Sequence, residues 1–434
     1  MTDTLISRRG LLAGSAALAA TFALAACSAG GSAGGAGGAL KFWNMPWGGV
    51  TFNPLDKRIS EAFTPPSGLP KVSYQAVQWS NFVSTFASAI ASKTGPAVSS
   101  GSGTQAFQFA EQGQIAMADD LIASWKKDGL YDDFLPGLFD TMKTSKGYVA
   151  VPYNLDMRAL WYNSTLLEKA GVAAPTDWQS YLDACEALKK IGAFGFGIAS
   201  GATGNGFQIL TGLLINNGGG LFDGDQKPAC VTDENIQALD FVVEMVRKGY
   251  MDPGSIGYST DNAQTQWKAE KFAMGYEGPG LAANLGGPFA KDVVIGDPLV
   301  GATGKKGALY FANNIMMYTH TPSQKDSEAF LTYYFKNMAP LWTKQTGIGL
   351  PVLKSITETP EFKSDANAAK LIADWQPICK TWAAPGGEAL FAKVSIVDST
   401  QAMTDWAQSV LSLKQTPKEA LTTLQGKLEA ALKK

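Results

Sequence analysis

The sequence predicts an α/β protein organised in two lobes. Segments with alternating apolar residues, such as 40–44 and 71–77, are separated by segments with helical apolar spacing, and strands interleaved with helices mark the α/β class. At 434 residues the chain is longer than one hydrophobic core usually organises. A composition of 45% hydrophobic and 11% aromatic residues supplies enough apolar surface for a large interior.

Residues 1–26 carry Arg8 and Arg9, then an uncharged apolar run, then small residues ahead of Cys27. That order is the layout of a secretory signal. Ser7-Arg8-Arg9-Gly10-Leu11-Leu12 resembles the twin-arginine export signal of bacteria. Leu24-Ala25-Ala26-Cys27 resembles the lipobox of bacterial lipoproteins, which implies a Cys27 that carries lipid (palmitate) and becomes the new N-terminus. The competing reading is a transmembrane anchor, but a spanning helix needs ~20 strongly apolar residues and this run is shorter and rich in Ala and Gly. Residues 28–39 contain only Ser, Ala and Gly, so 27–39 reads as a flexible linker. The expectation is an exported chain, lipid-anchored at the outer face of the cytoplasmic membrane. No long apolar stretch follows Cys27.

Charge and rare residues narrow the function. Charged residues make up 17% and the net charge is −2. With no basic run, a nucleic-acid partner is not expected. The three cysteines after the lipobox, Cys185, Cys230 and Cys379, are far apart in sequence and suggest neither zinc nor iron–sulfur ligation. One disulfide among them is open; small buried apolar residues is the plainer reading. The single histidine, His320, sits near a Pro-containing turn and is a poor nucleophile partner or metal ligand. No cofactor, no metal and no catalytic residue are therefore expected.

Along the ordered chain, 40–44 reads as a strand running into the loop 45–49, and 55–63 as a helix. Residues 71–77 follow as a strand and 82–91 as a helix stopped near Gly95-Pro96. Residues 99–104 read as a small polar loop. Thr176-Asp177-Trp178-Gln179 has capping-box spacing, with Trp178, Tyr181, Leu182, Cys185 and Leu188 on one face. Asp233 opens a helix with Ile236, Leu239, Val243 and Val246 in a stripe, ended by Gly249. Thr416-Pro417-Lys418-Glu419 combines a capping box with Pro at the first helical position.

Several segments in order resemble the extracellular solute-binding proteins of ABC importers, family 1, the group that includes maltose-binding protein. They are the run from Val151 through Asp156, Arg158 and Trp161 to Tyr162-Asn163, and Leu166 to Gly171 with Pro175, Thr176 and Trp178. Asn216-Asn217-Gly218-Gly219-Gly220, the stretch from Phe272 to Gly280, Ala329 to Phe335 and Gly347-Ile348-Gly349-Leu350-Pro351-Val352 complete the set. One departure is Ala97 after Pro96, where the family often has Asp. The resemblance implies a two-lobed, type II periplasmic-binding-protein-like fold with three interlobe crossings, near 154–156, 312–314 and 349–352. It divides the chain into 40–154 and 313–350 for lobe 1 and 155–312 and 351–434 for lobe 2. It also implies a monomeric receptor that closes on a small solute, expected to be a mono- or oligosaccharide, and passes it to membrane permease subunits.

A sugar offers apolar ring faces and a rim of hydroxyls, so its site needs aromatic platforms and planar polar groups on loops. Trp43, Asn44 and Trp47 end the first strand; Trp79 and Ser80 follow the second. Thr104 closes the small polar stretch. Asp156 and Arg158 are opposite charges two apart on the crossover, serving as a clamp on hydroxyls or as an interlobe salt bridge. Asn205 and Phe207 lie in a glycine-rich loop without phosphate-loop spacing. Glu277 and Gly278 enter the cleft in the resemblance. Asn313 and Asn314 are amides in an apolar strand and need partners. Trp375 and Trp382 are stacking candidates, with core packing as the alternative. Two further functions remain open on sequence: a secreted glycosidase or polysaccharide lyase using a pair such as Asp156 and Glu277, and a glycerophosphodiester or peptide binder on the same fold.

Overall fold

The computed structural model describes residues 38–433, except 80, 388–389, 395–396 and 398–399, and except the side chain of Val83. The export signal, Cys27 and most of the linker lie outside the described residues, as does Ser80.

Two sheets organise the chain. The larger has eight strands. Lys41–Asn44 lies parallel between Ser73–Ala76 and Val98–Gly101, and Val98–Gly101 is antiparallel to the long strand Ala308–Tyr318. Beyond it come Val151–Met157 and Leu350–Pro351, both antiparallel to their neighbours. The smaller sheet sets Ala159–Asn163 between Val293–Ile295 and Met274–Glu277. Only Arg158 separates the strand of one sheet from the strand of the other.

The three expected crossings lie side by side. Leu155 pairs with both Leu350 and Ala312, and Asn154 with both Pro351 and Asn313. After Pro351 the chain packs first against residues 132–135, where Leu135 N donates to Val352 O at 2.8 Å and Lys354 Nζ to Asp132 O at 2.8 Å. It reaches the smaller sheet at Asn367, whose Oδ1 accepts from Ile295 N at 3.0 Å.

Aromatic residues fill the interior. Phe42 packs on Phe330 and Tyr334 at 5.1 and 5.3 Å, tying the first strand to the helix Gln324–Asn337. Trp178 stacks on Phe241 at 4.4 Å, joining Trp178–Lys190 to Asp233–Arg247. Helix starts follow local chemistry. Asp177 is the N-cap and forms its capping box with Ser180, one residue later than the expected box began. Thr416 and Glu419 form the box that opens Pro417–Leu432. In Asp233–Arg247 the buried face runs through Ala238, Leu239, Val242 and Met245, leaving Ile236 and Val246 half-covered.

One expectation is corrected. The small polar stretch 99–104 predicts a loop, but residues 98–101 form a central strand, and only 102–104 connect it to Gln105–Glu111. The small side chains are required there: a Cβ on Gly101 would sit 2.3 Å from Gln105 Oε1 and 2.6 Å from Met316 Cε. The two buried hydroxyls are satisfied, Ser99 by Tyr318 OH at 3.0 Å and Ser100 by Met45 N at 3.0 Å.

Candidate ligand cleft

A cleft of about 1010 Å³ opens where the three crossings meet. Ends of strands, starts of helices and the loops between them supply its walls, where binding residues concentrate. Trp47 and Trp79 stand edge to face at 4.9 Å, and Phe82 meets Trp79 at 5.5 Å. Trp79 is 40% exposed, so part of its ring is open to the cleft. Phe207 and Phe311 line the wall supplied by the helix Gly206–Asn216 and the long crossing strand.

The polar groups converge on Arg158. Its Nη1 donates to Asp156 Oδ1 at 2.8 Å, and its Nε and Nη2 donate to Gln208 Oε1 at 2.9 and 2.6 Å. The guanidinium carbon lies 5.1 Å from the Phe311 ring centre. The clamp and salt-bridge readings of this pair are thus compatible: the residues are ion-paired and both line the cleft. Asn205 lines the same wall; its Nδ2 reaches Glu277 Oε2 at 3.4 Å, and its buried Oδ1 has no hydrogen-bond partner. Asn313 lines the cleft and donates to Asn154 Oδ1 at 3.0 Å.

The cleft thus gathers Trp47, Trp79, Asp156, Arg158, Asn205, Phe207, Gly278 and Asn313 of the candidates. The rest lie elsewhere. Trp43 is turned into the core against Phe86 at 5.4 Å. Asn44 is fully buried one layer below the cleft. Thr104 is buried at the start of Gln105–Glu111. Asn314, the next residue on the strand, does not line the cleft; its Nδ2 donates to Gly103 O at 3.1 Å. Glu277 is buried behind Gly278; burial pushes its carboxyl up to about 7, with the Arg158 charge pulling the other way. Trp375 is core, bonded to Gly296 O at 2.9 Å, and Trp382 is buried between Phe207 and Phe311.

Sequence reasoning missed Gln78, Phe82, Gln208, Asn284 and Phe311. Gln208 carried a usable signal: it follows the glycine-rich loop in the first turn of a helix, next to Phe207. Phe311 read as one apolar residue among many in its strand. Among the described residues the cysteines are unpaired, Cys185 and Cys230 buried and Cys379 half-buried, consistent with apolar filling. Among the described residues no cluster of His, Cys, Asp and Glu gathers for a metal ion, and no helix is long and apolar enough to cross a membrane.

A deep cleft at a three-strand crossover between two α/β sheets defines the class of bilobed binding receptors. Residues 61–339 match the family model for the bacterial extracellular solute-binding protein, and the chain belongs to that family. A sugar transporter from Arthrobacter chlorophenolicus A6, solved with bound laminaribiose, is 48% identical, with a TM-score of 0.85 over 91% of this chain and 99% of that one. The GacH receptor of Streptomyces glaucescens, solved unliganded and with acarbose, is 22% identical with a TM-score of 0.73 over 91% and 98% of the two chains, a likeness of fold. The diacetylchitobiose binding protein NgcE of Streptomyces coelicolor is 27% identical over 39% of this chain and 38% of its own.

Proposed function

We propose that this chain is the non-catalytic, sugar-capturing receptor of an ABC importer, binding a mono- or oligosaccharide between its lobes and delivering it to permease subunits. One observation carries the reading: aromatic faces at Trp47, Trp79 and Phe82 share one cleft with Asp156, Arg158, Gln208 and the unpartnered Asn205 Oδ1. That combination of rings and hydrogen-bonding rim matches a pyranose. The laminaribiose bound by the 48% identical transporter supports a disaccharide as the ligand. Arg158, already paired with Asp156, is the cleft's single basic side chain among the described residues, which argues against a phosphodiester.

The same proposal includes a monomer tethered by lipid on Cys27, with 28–39 as the spacer. Thermal-shift and calorimetric titration with laminaribiose and a panel of mono- and oligosaccharides tests the ligand. Stabilisation without new reducing ends is expected. Stabilisation by no sugar overturns the carbohydrate reading, and release of reducing ends makes the protein an enzyme. Cys27→Ser is expected to release the protein from the membrane fraction with sugar binding intact; retention there overturns the anchor.

A further inference from the structure

Beneath the cleft lies a buried polar chain with no place in a simple stacking site. Asp56, on the helix Phe52–Glu61, is fully buried. Its Oδ2 accepts from Asn44 Nδ2 at 2.6 Å and its Oδ1 from Tyr334 OH at 2.6 Å. Tyr334 in turn meets Tyr153 OH at 2.8 Å on the crossing strand. Asn44 Oδ1 accepts from Met45 N and from Trp47 Nε1, both at 3.0 Å. Ser100 Oγ takes the same indole N–H at 3.1 Å, and Tyr153 meets the Trp47 ring edge-on at 6.2 Å.

The donor and acceptor inventory leaves this chain one orientation. A carboxylate only accepts and an indole or main-chain N–H only donates, so Asn44 must turn its NH2 to Asp56 and its oxygen to Trp47. Burying a carboxylate is costly unless hydrogen bonds compensate it, and here the Asn44 amide and the Tyr334 hydroxyl supply them. We propose that Asp56 and Asn44 are positioning residues for the cleft: the buried carboxylate locks the Asn44 amide, and the amide locks the Trp47 indole as a preset platform for the ligand. The ligand part rests on the sugar reading above; the locking of the indole does not.

The relay explains why an acid occupies position 56. An Asn there could offer its own NH2 to Asn44, letting that amide flip and point N–H groups at the indole N–H. Protonating Asp56 loosens the lock in the same way. Burial pushes this carboxyl up to about 6, against the hydrogen bonds from Tyr334 and Asn44. The titratable groups facing it are the phenols of Tyr74, Tyr153 and Tyr334.

The test reads the indole directly. In the full chain with 15N-labelled tryptophan, the Trp47 Nε1–H resonance is the one lost in Trp47→Phe. It is expected to move in Asn44→Ala and Asp56→Asn, and to move in the unsubstituted protein as the pH falls from about 7 to about 5. Asn44→Ala is expected to weaken laminaribiose about five- to tenfold, the worth of one hydrogen bond. In the Trp47→Phe background, which lacks the N–H, the same change is expected to weaken it less than about twofold. Equal losses in both backgrounds mean general structural damage and overturn the proposal. So does a Trp47 resonance indifferent to Asn44→Ala and to pH. The resonance needs no ligand, so a protein that binds no sugar would sink the proposed function and leave the relay measurable.

Discussion

Arg158 and Asp156, two positions apart, form an ion pair of 2.8 Å in the cleft wall, and the pair faces the ligand space with unequal burial. The Arg158 side chain is 10% exposed and that of Asp156 is 30% exposed. The arginine is therefore committed to the protein, with Gln208 and Phe311 holding it, while the aspartate keeps acceptor capacity for a hydroxyl. Asp156→Ala is expected to weaken sugar binding about tenfold or more, as for a lost charged hydrogen bond, with a smaller loss of melting temperature than Arg158→Ala because Gln208 and Phe311 still hold the guanidinium. Arg158→Ala is expected to lower both. Calorimetric titration alongside differential scanning calorimetry separates the two; equal melting losses in both variants would contradict this division.

Trp79 has a free face, and its Nε1 donates to Pro46 O at 3.3 Å. Trp79→Ala should remove a stacking platform worth about 1 kcal/mol or more of affinity, roughly fivefold, while the unliganded melting temperature changes little. A large drop in that temperature with unchanged affinity would assign Trp79 to packing.

Trp375 and Trp382 should behave in the opposite way. Each is 1% exposed. Truncation to Ala is expected to destabilise the fold by about 3–5 kcal/mol, read from denaturant midpoints. For Trp375→Ala, whatever protein remains folded should bind sugar nearly as before.

One glycine pair lining the cleft is tightly packed. A Cβ on Gly280, after the strand Met274–Glu277, would sit 2.8 Å from the carbonyl oxygen of Gly347, ahead of Leu350–Pro351. Gly347 itself has φ +79°, where only glycine is unstrained. Gly280→Leu is expected to prop the cleft open, raising the solution radius of gyration with sugar present and weakening binding severalfold. Small-angle scattering unchanged by the substitution would show that the loops yield instead.

Acidity should stabilise the protein before it destabilises it. Burial raises the carboxyls of Asp56 to about 6 and Glu277 to about 7. The folded state then holds protons the unfolded chain has released, so their contribution to stability falls as pH rises through those values. Asp177 and Glu419 act the other way: backbone hydrogen bonds at Ser180 and Thr416 hold their carboxyls low, and that stability is lost on acidification below the ordinary carboxylate range. The melting temperature should peak near about pH 4 to 5, fall as the pH rises toward about 7 and level off above it. Asp56→Asn and Glu277→Gln should each flatten the upper limb; a melting temperature that climbs from about pH 5 to 8 would contradict the assignment.

Much of this was written in local sequence. Alternating and helical apolar spacings placed the strands Lys41–Asn44 and Ser73–Ala76 and the helices Phe52–Glu61, Phe82–Ala91, Trp178–Lys190 and Asp233–Arg247, because periodicity reports which face of an element is covered. Helix starts at 178 and 417 were legible from caps, since capping is settled within four residues. The crossings at 154, 312 and 350 were found through resemblance; their pairing in register is a long-range fact that no local pattern encodes.

The sequence by itself determined the residue types a sugar site needs, the export-like N-terminus and the absence of basic runs. Only the tertiary structure decided which aromatics line the cleft. Trp47 and Trp43 are four residues apart, yet one lines the cleft and the other fills the core. A tryptophan satisfies either environment equally well, so its position depends on what the rest of the fold brings beside it. Asn44 makes the same point with a buried amide. Its partners Asp56, Tyr153 and Trp47 span more than a hundred positions of chain, and folding alone gathers them under the cleft.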